Sequence, residues 1–211
     1  MTKSIEEKPV QIIINGRAAM TLMTSAEDPK DLVTGHIFTE RVVETYADIT
    51  SIHRDGSQVS VVTSKPFGIL LSRKTVLAGC GGASSFLDSG RLGQLTAGFT
   101  PSKEEISRSF DQLPASLWYS GGLFAKDGTL LAAVEDVSSQ NVLDRLIGHG
   151  LTLGTVFSET YVVLIGNLMT ETVRKAIIAK IPFIAVSGDV TATAAKTAKE
   201  ANLTLVHVNN R

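Results

Sequence analysis

Three pairs of apolar segments, each separated by a two-residue turn, predict three β-hairpins in the first two thirds of the chain. The turns are Asn15-Gly16, Asp55-Gly56 and Asp127-Gly128. Asn-Gly and Asp-Gly favour the left-handed backbone of tight hairpin turns. The flanking segments, which we expect to be strands, are 10–14 and 18–23, 49–54 and 57–63, and 118–125 and 129–134.

Two helices are predicted between the hairpins. The pair Asp28-Pro29 predicts a helix that runs to about Glu44, because proline suits the first helical position and acidic residues suit the first turn. Ser102 and Glu105 have the spacing of a capping box, which predicts a second helix over 103–112.

The last third of the chain alternates between helical and strand-like segments, which predicts parallel strands with crossover helices. We therefore expect an α/β fold class, with a β-rich part over residues 1–100 and an α/β part over 101–211. Open α/β sheets bind ligands at the carboxyl ends of their strands, here near Asn167 and Ser187. The expected elements are a helix at 139–154, a strand at 160–165, a helix at 170–180, a strand at 182–187, a helix at 191–201 and a strand at 203–208.

Composition narrows the class of protein. Of 211 residues, 43% are hydrophobic and 19% are charged, which is typical of a globular chain. Twenty Lys and Arg against 21 Asp and Glu leave a formal net charge of −1, so we expect no nucleic-acid or membrane-surface partner. No apolar run approaches the roughly 20 residues that span a bilayer, and the first residues lack a signal-peptide pattern. We expect a cytoplasmic protein.

Cys80, the only cysteine, lies in the glycine-rich run AGCGGASSF after a strand-like stretch. Its neighbours Gly79, Gly81 and Gly82 leave room for backbone amides to approach a ligand and to stabilise a reactive thiolate. The alternative is a small, buried, inert thiol, and the residues alone leave both open. The histidines show no zinc-site spacing with Cys80, so we expect no metal.

A second polar segment is EDVSSQNVLDRLIG at residues 135–148. It is either part of a ligand pocket or a capped amphipathic helix with a solvated acidic lead-in, and residue types favour the second. Glu135 and Asp136 are not expected to act as an acid–base pair, because adjacent strand residues point to opposite faces. Thr39-Glu40-Arg41 either holds a loop or a partner or is a solvated helix face, and we expect the second. Thr170-Glu171 either reaches a ligand or is a helix N-cap followed by a favourable first-turn charge, and we again expect the second.

The order of these segments resembles the formate dehydrogenase accessory protein (FdhD) family. The most specific pieces are EDV at 135–137 with Asn141 and Asp144, and the stretch from Asp31 to Glu40. The other matching segments are INGRAAMTLMTSAED, AGCGG, WYSGGLFA, GNLMTETVRKA and IPFIAVSGDVTATAAKTAKEANLTLV.

The resemblance implies a cytidine-deaminase-like three-layer α/β fold without zinc chemistry, and a role in the maturation of molybdenum-dependent formate dehydrogenases. Cys80 would take persulfide sulfur from a cysteine desulfurase and pass it to the molybdenum bis(guanine dinucleotide) cofactor, making the chain a sulfurtransferase. The implied partners are the desulfurase, the formate dehydrogenase apoprotein, the cofactor and a second copy in a homodimer. The expected cofactor-binding residues are Gly79, Gly81, Gly82, Glu135, Asp136, Asn141, Asp144, Asn167, Ser187, His207, Asn209 and Arg211.

Several positions depart from the family pattern. The family's usual second loop cysteine is absent, since Gly81, Gly82 and Ala83 follow Cys80. Phe124 replaces a histidine, Ser139-Gln140 replace an arginine-histidine pair, and Asn167 replaces an arginine. Loss of the guanidinium should weaken pyrophosphate binding, whereas loading of Cys80 requires only an accessible thiolate. The alternative function is a divergent cofactor-binding or assembly chaperone without sulfur transfer.

Overall fold

The structure is a computed structural model. It describes residues 4–64, 74–76, 83–85, 92–96, 98–115 and 117–208. Its first part is a four-stranded sheet made of strands β1 (Lys8–Ile14), β2 (Arg17–Thr24), β3 (Ile49–Asp55) and β4 (Gln58–Thr63), in the order β2-β1-β4-β3. The two hairpins predicted in this part, β1–β2 and β3–β4, are confirmed as antiparallel pairs. Parallel pairing between β1 and β4 joins them into one sheet. Strands β5 (Lys74–Val76) and β6 (Ala83–Ser85) form a separate short ribbon.

Helix α1 (Lys30–Thr39) connects the two hairpins, and its predicted end at Glu44 is wrong. The helix ends five residues earlier because the backbone reverses at Arg41, which has φ of 58°. The amides of Val42 and Val43 then bond to the carbonyl of Ile37. This reversal places Val43 in the core beneath the four-stranded sheet, so packing overrides the helical pattern.

The second part is a five-stranded mixed sheet in the order β11-β10-β9-β7-β8. Strands β9, β10 and β11 are parallel, while β7 is antiparallel to both β8 and β9. The predicted hairpin and the alternation of helices and strands are both confirmed. The strands are β7 (Tyr119–Ala125), β8 (Leu130–Asp136), β9 (Thr160–Ile165), β10 (Phe183–Val186) and β11 (Thr204–His207), and the helices are α2 (Lys103–Asp111), α3 (Ser139–Thr152), α4 (Thr170–Ile178) and α5 (Ala192–Glu200).

Helices cover both faces of this sheet, which gives three layers. Helix α2 begins with the predicted capping box, in which Ser102 and Glu105 exchange hydrogen bonds of 3.2 and 2.7 Å, and it packs on a cluster that includes Phe124 and Tyr161. Helices α3, α4 and α5 pack on the other face through a larger apolar cluster. The mixed α/β class is confirmed, and the cytidine-deaminase-like assignment stays a prediction. No helix in the described ranges is long and apolar enough to cross a membrane.

Helices α1 and α3 touch backbone to backbone, and this contact joins the two sheets. A Cβ atom added to Gly35 would lie 1.8 Å from the carbonyl oxygen of Asp144, and one added to Gly148 would lie 1.9 Å from that of Asp31. Only glycine permits this approach. The other side of α1 carries Val33 and Ile37 into the core of the four-stranded sheet. The predicted division near residue 100 stays a prediction, but the parts on its two sides are tightly packed together.

Candidate functional site

The carboxyl ends of β9, β10 and β11 form one edge of the larger sheet, which we call the carboxyl edge. Ser187 directly follows β10, Asn167 lies two residues after the end of β9, and His207 ends β11. The Asn167 side-chain oxygen accepts a 3.0 Å hydrogen bond from the amide of Asp189, which ties the two loops together. The start of β7 and the end of β8 lie at the same edge, because Tyr119 pairs with Asp136.

Two glycines allow the loops of the carboxyl edge to pack without intervening side chains. Gly166 has φ of 111°, and a Cβ atom there would lie 2.4 Å from the ring of Tyr119. A Cβ atom on Gly188 would lie 2.3 Å from the backbone of Gly166. The predicted residues Asn167 and Ser187 are therefore neighbours on a closely packed edge.

Asp136 anchors the end of β8 to the end of β2. Its carboxylate is fully buried and accepts hydrogen bonds from Thr24 Oγ1 at 2.6 Å, from the amide of Ser25 at 3.2 Å and from its neighbour's amide at 2.7 Å. Asn141 Nδ2 donates to Asp136 Oδ1 at 3.0 Å and to the carbonyl of Met23 at 2.7 Å. These bonds satisfy the buried carboxylate and fix the first hairpin against the start of α3.

Glu135 points the other way, and its carboxylate accepts a 3.1 Å bond from the amide of Leu117. This confirms the prediction that Glu135 and Asp136 face opposite sides of the strand. Ser138 also caps α3, accepting a 3.2 Å bond from the amide of Asn141. The expected solvation of the acidic lead-in is wrong, because Asp136 is fully buried.

A second buried cluster surrounds Asp144 in the middle of α3. Lys175 Nζ lies 2.8 and 3.0 Å from the two carboxylate oxygens of Asp144, and 2.9 Å from Thr39 Oγ1. His36 Nδ1 lies 2.9 Å from Asp144 Oδ2, and its Nε2 lies 2.8 Å from Met20 Sδ. Asp144 and Lys175 are each 1% exposed, so this ion pair joins α1, α3 and α4 out of contact with water.

Arg174 extends this network to Glu40 and Glu171. It donates to Glu40 at 2.6 Å, to Glu171 at 2.8 Å and to the carbonyl of Thr39 at 3.3 Å. The expectation of a solvated face at Thr39-Glu40-Arg41 is therefore wrong for the first two residues, and only Arg41 is exposed. The predicted N-cap is also wrong, because Met169 occupies that position without a side-chain cap.

The cations of this network keep its carboxylates ionised. Burial alone would raise the pKa of Asp144, but Lys175 and His36 hold it below its usual value. Burial would also raise the pKa of Glu40, but Lys175 and Arg174 hold that pKa below its usual value. The network thus carries permanent charge at neutral pH.

His36, Arg174 and Lys175 were not predicted from the sequence as partners of the acidic segment. One signal was present, since Glu171, Arg174 and Lys175 have the spacing that places side chains on one helix face. Their partners on α1 are more than 130 residues away in sequence. Local sequence patterns do not identify contacts between residues so far apart in the sequence.

The predicted site is only partly within the described residues. Cys80 with Gly79, Gly81 and Gly82 lies outside them, as do Asn209 and Arg211. Asp136, Asn141 and Asp144 make internal bonds, while Asn167, Ser187 and His207 lie along the carboxyl edge. Their assignment to cofactor binding stays a prediction. In the described ranges no group of three or more His, Cys, Asp or Glu residues is arranged to hold a metal ion.

Two departures from the family pattern can be located in the fold. Phe124 is fully buried and stacks on Tyr161 with ring centroids 5.2 Å apart, so an apolar contact occupies the position at which the resemblance implies a histidine. Ser139 lies in the first turn of α3, where its hydroxyl is 3.1 Å from that of Thr172. Neither residue supplies a proton carrier.

A cavity of about 870 Å³ lies away from the carboxyl edge, among the segments that follow α1, α3 and α4. Its walls include Phe38, Leu151 and Phe157, and Arg41 and Lys180 also line it. The side chain of Tyr46, which also lines the cavity, is 42% exposed. None of the predicted site residues lines this cavity.

The fold and site define a mixed α/β protein in which a small β-rich layer is locked by buried charges onto a three-layer body with an accessible carboxyl edge. A solved structure has the same fold: that of a protein from Desulfotalea psychrophila assigned as a formate dehydrogenase accessory protein. The match has a TM-score of 0.73 at 19% identity and covers 97% of this chain and 84% of that one.

The chain belongs to the FdhD/NarQ family, whose model matches residues 5–211. It is 28% identical over 220 residues to the sulfur carrier protein FdhD of Wolinella succinogenes, covering 96% of this chain and 76% of that protein. It is 30% identical over 200 residues to the protein of the same name from Saccharolobus solfataricus, covering 88% of this chain and 76% of that protein. The resemblance inferred from the motifs is confirmed.

Proposed function

We propose that this chain is a sulfur carrier in the maturation of formate dehydrogenases, and that Cys80 carries the sulfur. One observation carries the proposal: the relatives named as sulfur carrier proteins align with almost the whole chain, and this chain contains a single cysteine. A sulfur atom bound to a cysteine of this protein can therefore only be bound to Cys80. Family membership over residues 5–211 supports the same role.

Loading of Cys80 is a thiol exchange that needs no oxidant. The Cys80 thiolate attacks the outer sulfur of a persulfide on a cysteine desulfurase. The desulfurase S–S bond breaks, its cysteine leaves as a thiolate, and a new S–S bond forms on Cys80. Glycine neighbours at positions 79, 81 and 82 would favour this step by exposing backbone amides to the negative charge.

Delivery would return Cys80 to its starting state. The acceptor supplies the electron pair for the new bond to sulfur, the S–S bond on Cys80 breaks, and Cys80 leaves as a thiolate. We propose the molybdenum bis(guanine dinucleotide) cofactor as the acceptor, bound near the carboxyl edge and destined for the formate dehydrogenase apoprotein. The proposed contacts of the cofactor within the described residues are Asn167, Ser187 and His207, with Asn209 and Arg211 further along the chain. We also propose a cytoplasmic homodimer.

The carrier role is tested by the intact mass of the purified protein after incubation with a cysteine desulfurase and cysteine, without reductant. We expect the wild type to gain the mass of one sulfur atom and to lose it on treatment with a thiol reductant. Cys80→Ala and the nearly isosteric Cys80→Ser should gain nothing. Absence of the gain in wild type, with an active desulfurase in the mixture, would refute the carrier role.

A second candidate function is cofactor binding or assembly without sulfur transfer. The observation that favours it is the lack of any second cysteine, since no resolving thiol is available in the chain. In that case guanine nucleotide or the cofactor would bind equally well to wild type and to Cys80→Ala, and neither protein would gain sulfur.

A further inference from the structure

Trp118 is the most exposed large hydrophobic side chain in the described part of the protein, with 66% of its surface accessible. It is also the only tryptophan in the chain. Exposed indole rings are characteristic of contact surfaces, because the ring offers a large rigid face for stacking.

Trp118 lies at the carboxyl edge, directly before β7. A Cβ atom on Gly166 would lie 3.1 Å from the carbonyl oxygen of Trp118, and Gly188 packs on Gly166 in turn. The tryptophan is therefore beside the two loops that carry Asn167 and Ser187. These are the residues for which cofactor contact is proposed.

Within the described residues, the loops at this edge offer no lysine or arginine side chain to a phosphate. Lys and Arg are absent from residues 112–118, 137–138, 166–169 and 187–191. Arg145, on α3, donates to the carbonyl of Glu135 at 2.6 Å and lies 3.5 Å from Asp136. Arg211 follows β11 in the sequence, outside the described residues.

The helix N-termini at this edge already have carboxylates close to them. Helices α3, α4 and α5 all begin here, and helix N-termini attract anions through their free amides. Each one already has an acidic residue within three positions of its first residue, namely Asp136, Glu171 and Asp189. Ser138 and Thr191 cap α3 and α5 in addition. At α5 an added phosphate would meet the carboxylate of Asp189, whereas at α3 and α4 the carboxylates of Asp136 and Glu171 already lie beside Arg145 and Arg174.

In the described part of this edge, two neutral hydroxyl groups lack a hydrogen-bond partner. Two side-chain oxygens in the described ranges are buried without a hydrogen-bond partner, those of Ser25 and Ser120. Ser120 pairs with Ile165 and Glu135 at the ends of β9 and β8, and the amide of Ser25 bonds to Asp136. Buried hydroxyls without partners are uncommon in folded proteins, and Ser120 is only two residues from Trp118 in the sequence.

We propose that Trp118 is the platform on which a flat, uncharged heterocycle, a purine or pterin ring, stacks at the carboxyl edge, and that this edge recognises the ring rather than its phosphates. The inference rests on the proposed function, since it specifies which part of the cofactor this edge holds. Stacking of a base on an aromatic side chain requires no charge. It therefore fits an edge at which Asn167 stands in place of an arginine.

Titration with guanosine, GDP and inorganic pyrophosphate tests this, using the fluorescence of the single tryptophan and, for the variants, calorimetry. We expect guanosine and GDP to quench the fluorescence with affinities within about threefold, because one charge-assisted phosphate contact would separate them by about tenfold or more. Pyrophosphate should not bind. Trp118→Ala should weaken guanosine binding about fivefold or more, and Trp118→Phe should retain most of it.

Tyr46→Ala is the matched control, because it removes an exposed aromatic side chain beside the cavity and should leave binding unchanged. GDP binding far tighter than guanosine, or undiminished in Trp118→Ala, would overturn the inference. So would a change in oligomeric state in Trp118→Ala without a change in nucleotide affinity, which would assign the ring to a contact between two copies. Persulfide loading of Cys80, measured on the same samples, is independent of these outcomes and tests the proposed function separately.

Discussion

Replacing Lys175 by methionine should destabilise the protein more than any exposed charge substitution. The Lys175 ammonium lies 2.8 Å from Asp144, and both residues are 1% exposed. At an effective dielectric constant of about 20, two charges at this distance attract by about 6 kcal/mol. The cost of burying both ions offsets most of that attraction in the intact pair.

Methionine removes the attraction but leaves Asp144 buried with its charge. Breaking a buried pair in this way costs about 3–5 kcal/mol of unfolding free energy. With a urea m-value of about 3 kcal/mol/M, the unfolding midpoint should fall by about 1 M or more. The m-value itself should not change, because the same surface is exposed on unfolding.

Two further variants test whether Lys175 and Asp144 are energetically coupled. Lys196→Met removes an exposed lysine that lies 3.8 Å from Glu200, and it should cost less than about 1 kcal/mol. In Lys175→Met combined with Asp144→Asn, the loss should be smaller than the sum of the single losses by about 1 kcal/mol or more. Equal midpoints for Lys175→Met and Lys196→Met, or strict additivity in the double variant, would refute the account of a coupled buried pair.

Two other predictions follow from the same interface. Because Asp144 and Glu40 have pKa values below their unfolded values of 3.8 and 4.5, their stabilisation is complete above those values and is lost as pH falls through the folded pKa values. Urea unfolding at neutral and acidic pH should show this loss, and constant stability below pH 4.5 would contradict it. Gly35→Ala should cost about 1–3 kcal/mol by forcing α1 from α3, although alanine favours helix. Gly98→Ala, with its nearest atom at 3.6 Å, is the control, and equal thermal midpoints would count against the close crossing.

The local elements were predictable from sequence because their signals are local. The pairs Asn15-Gly16, Asp55-Gly56 and Asp127-Gly128 select tight hairpin turns, and the Ser102–Glu105 spacing identifies the start of α2. Pairing between distant segments has no such signal. The parallel contact of β1 with β4 depends on the α1 crossover, and the early end of α1 depends on the burial of Val43.

The buried charges were the least predictable part of the site. Glu40 and the acidic pair at the end of β8 were assigned to solvated faces because charged side chains are seldom buried unless paired. The pairing partners of Glu40 lie on α4, more than a hundred residues further along the chain. The sequence shows that Glu40 is charged, but only the folded structure shows that Lys175 and Arg174 lie close enough to neutralise it.

The two segments that carry the family resemblance most specifically meet at a single interface. Residues 31–40 form most of α1, residues 135–144 lead into α3, and the two are joined by Gly35 against Asp144 and by the bond from Thr39 to Asp144. These residues therefore hold α1 against α3. Loss of activity in an Asp144 variant would have to be compared with its free energy of unfolding before it is assigned to function. Substitution of Trp118 leaves this interface intact, and the mass of Cys80 reports sulfur directly, so these two positions are where function can be separated from stability.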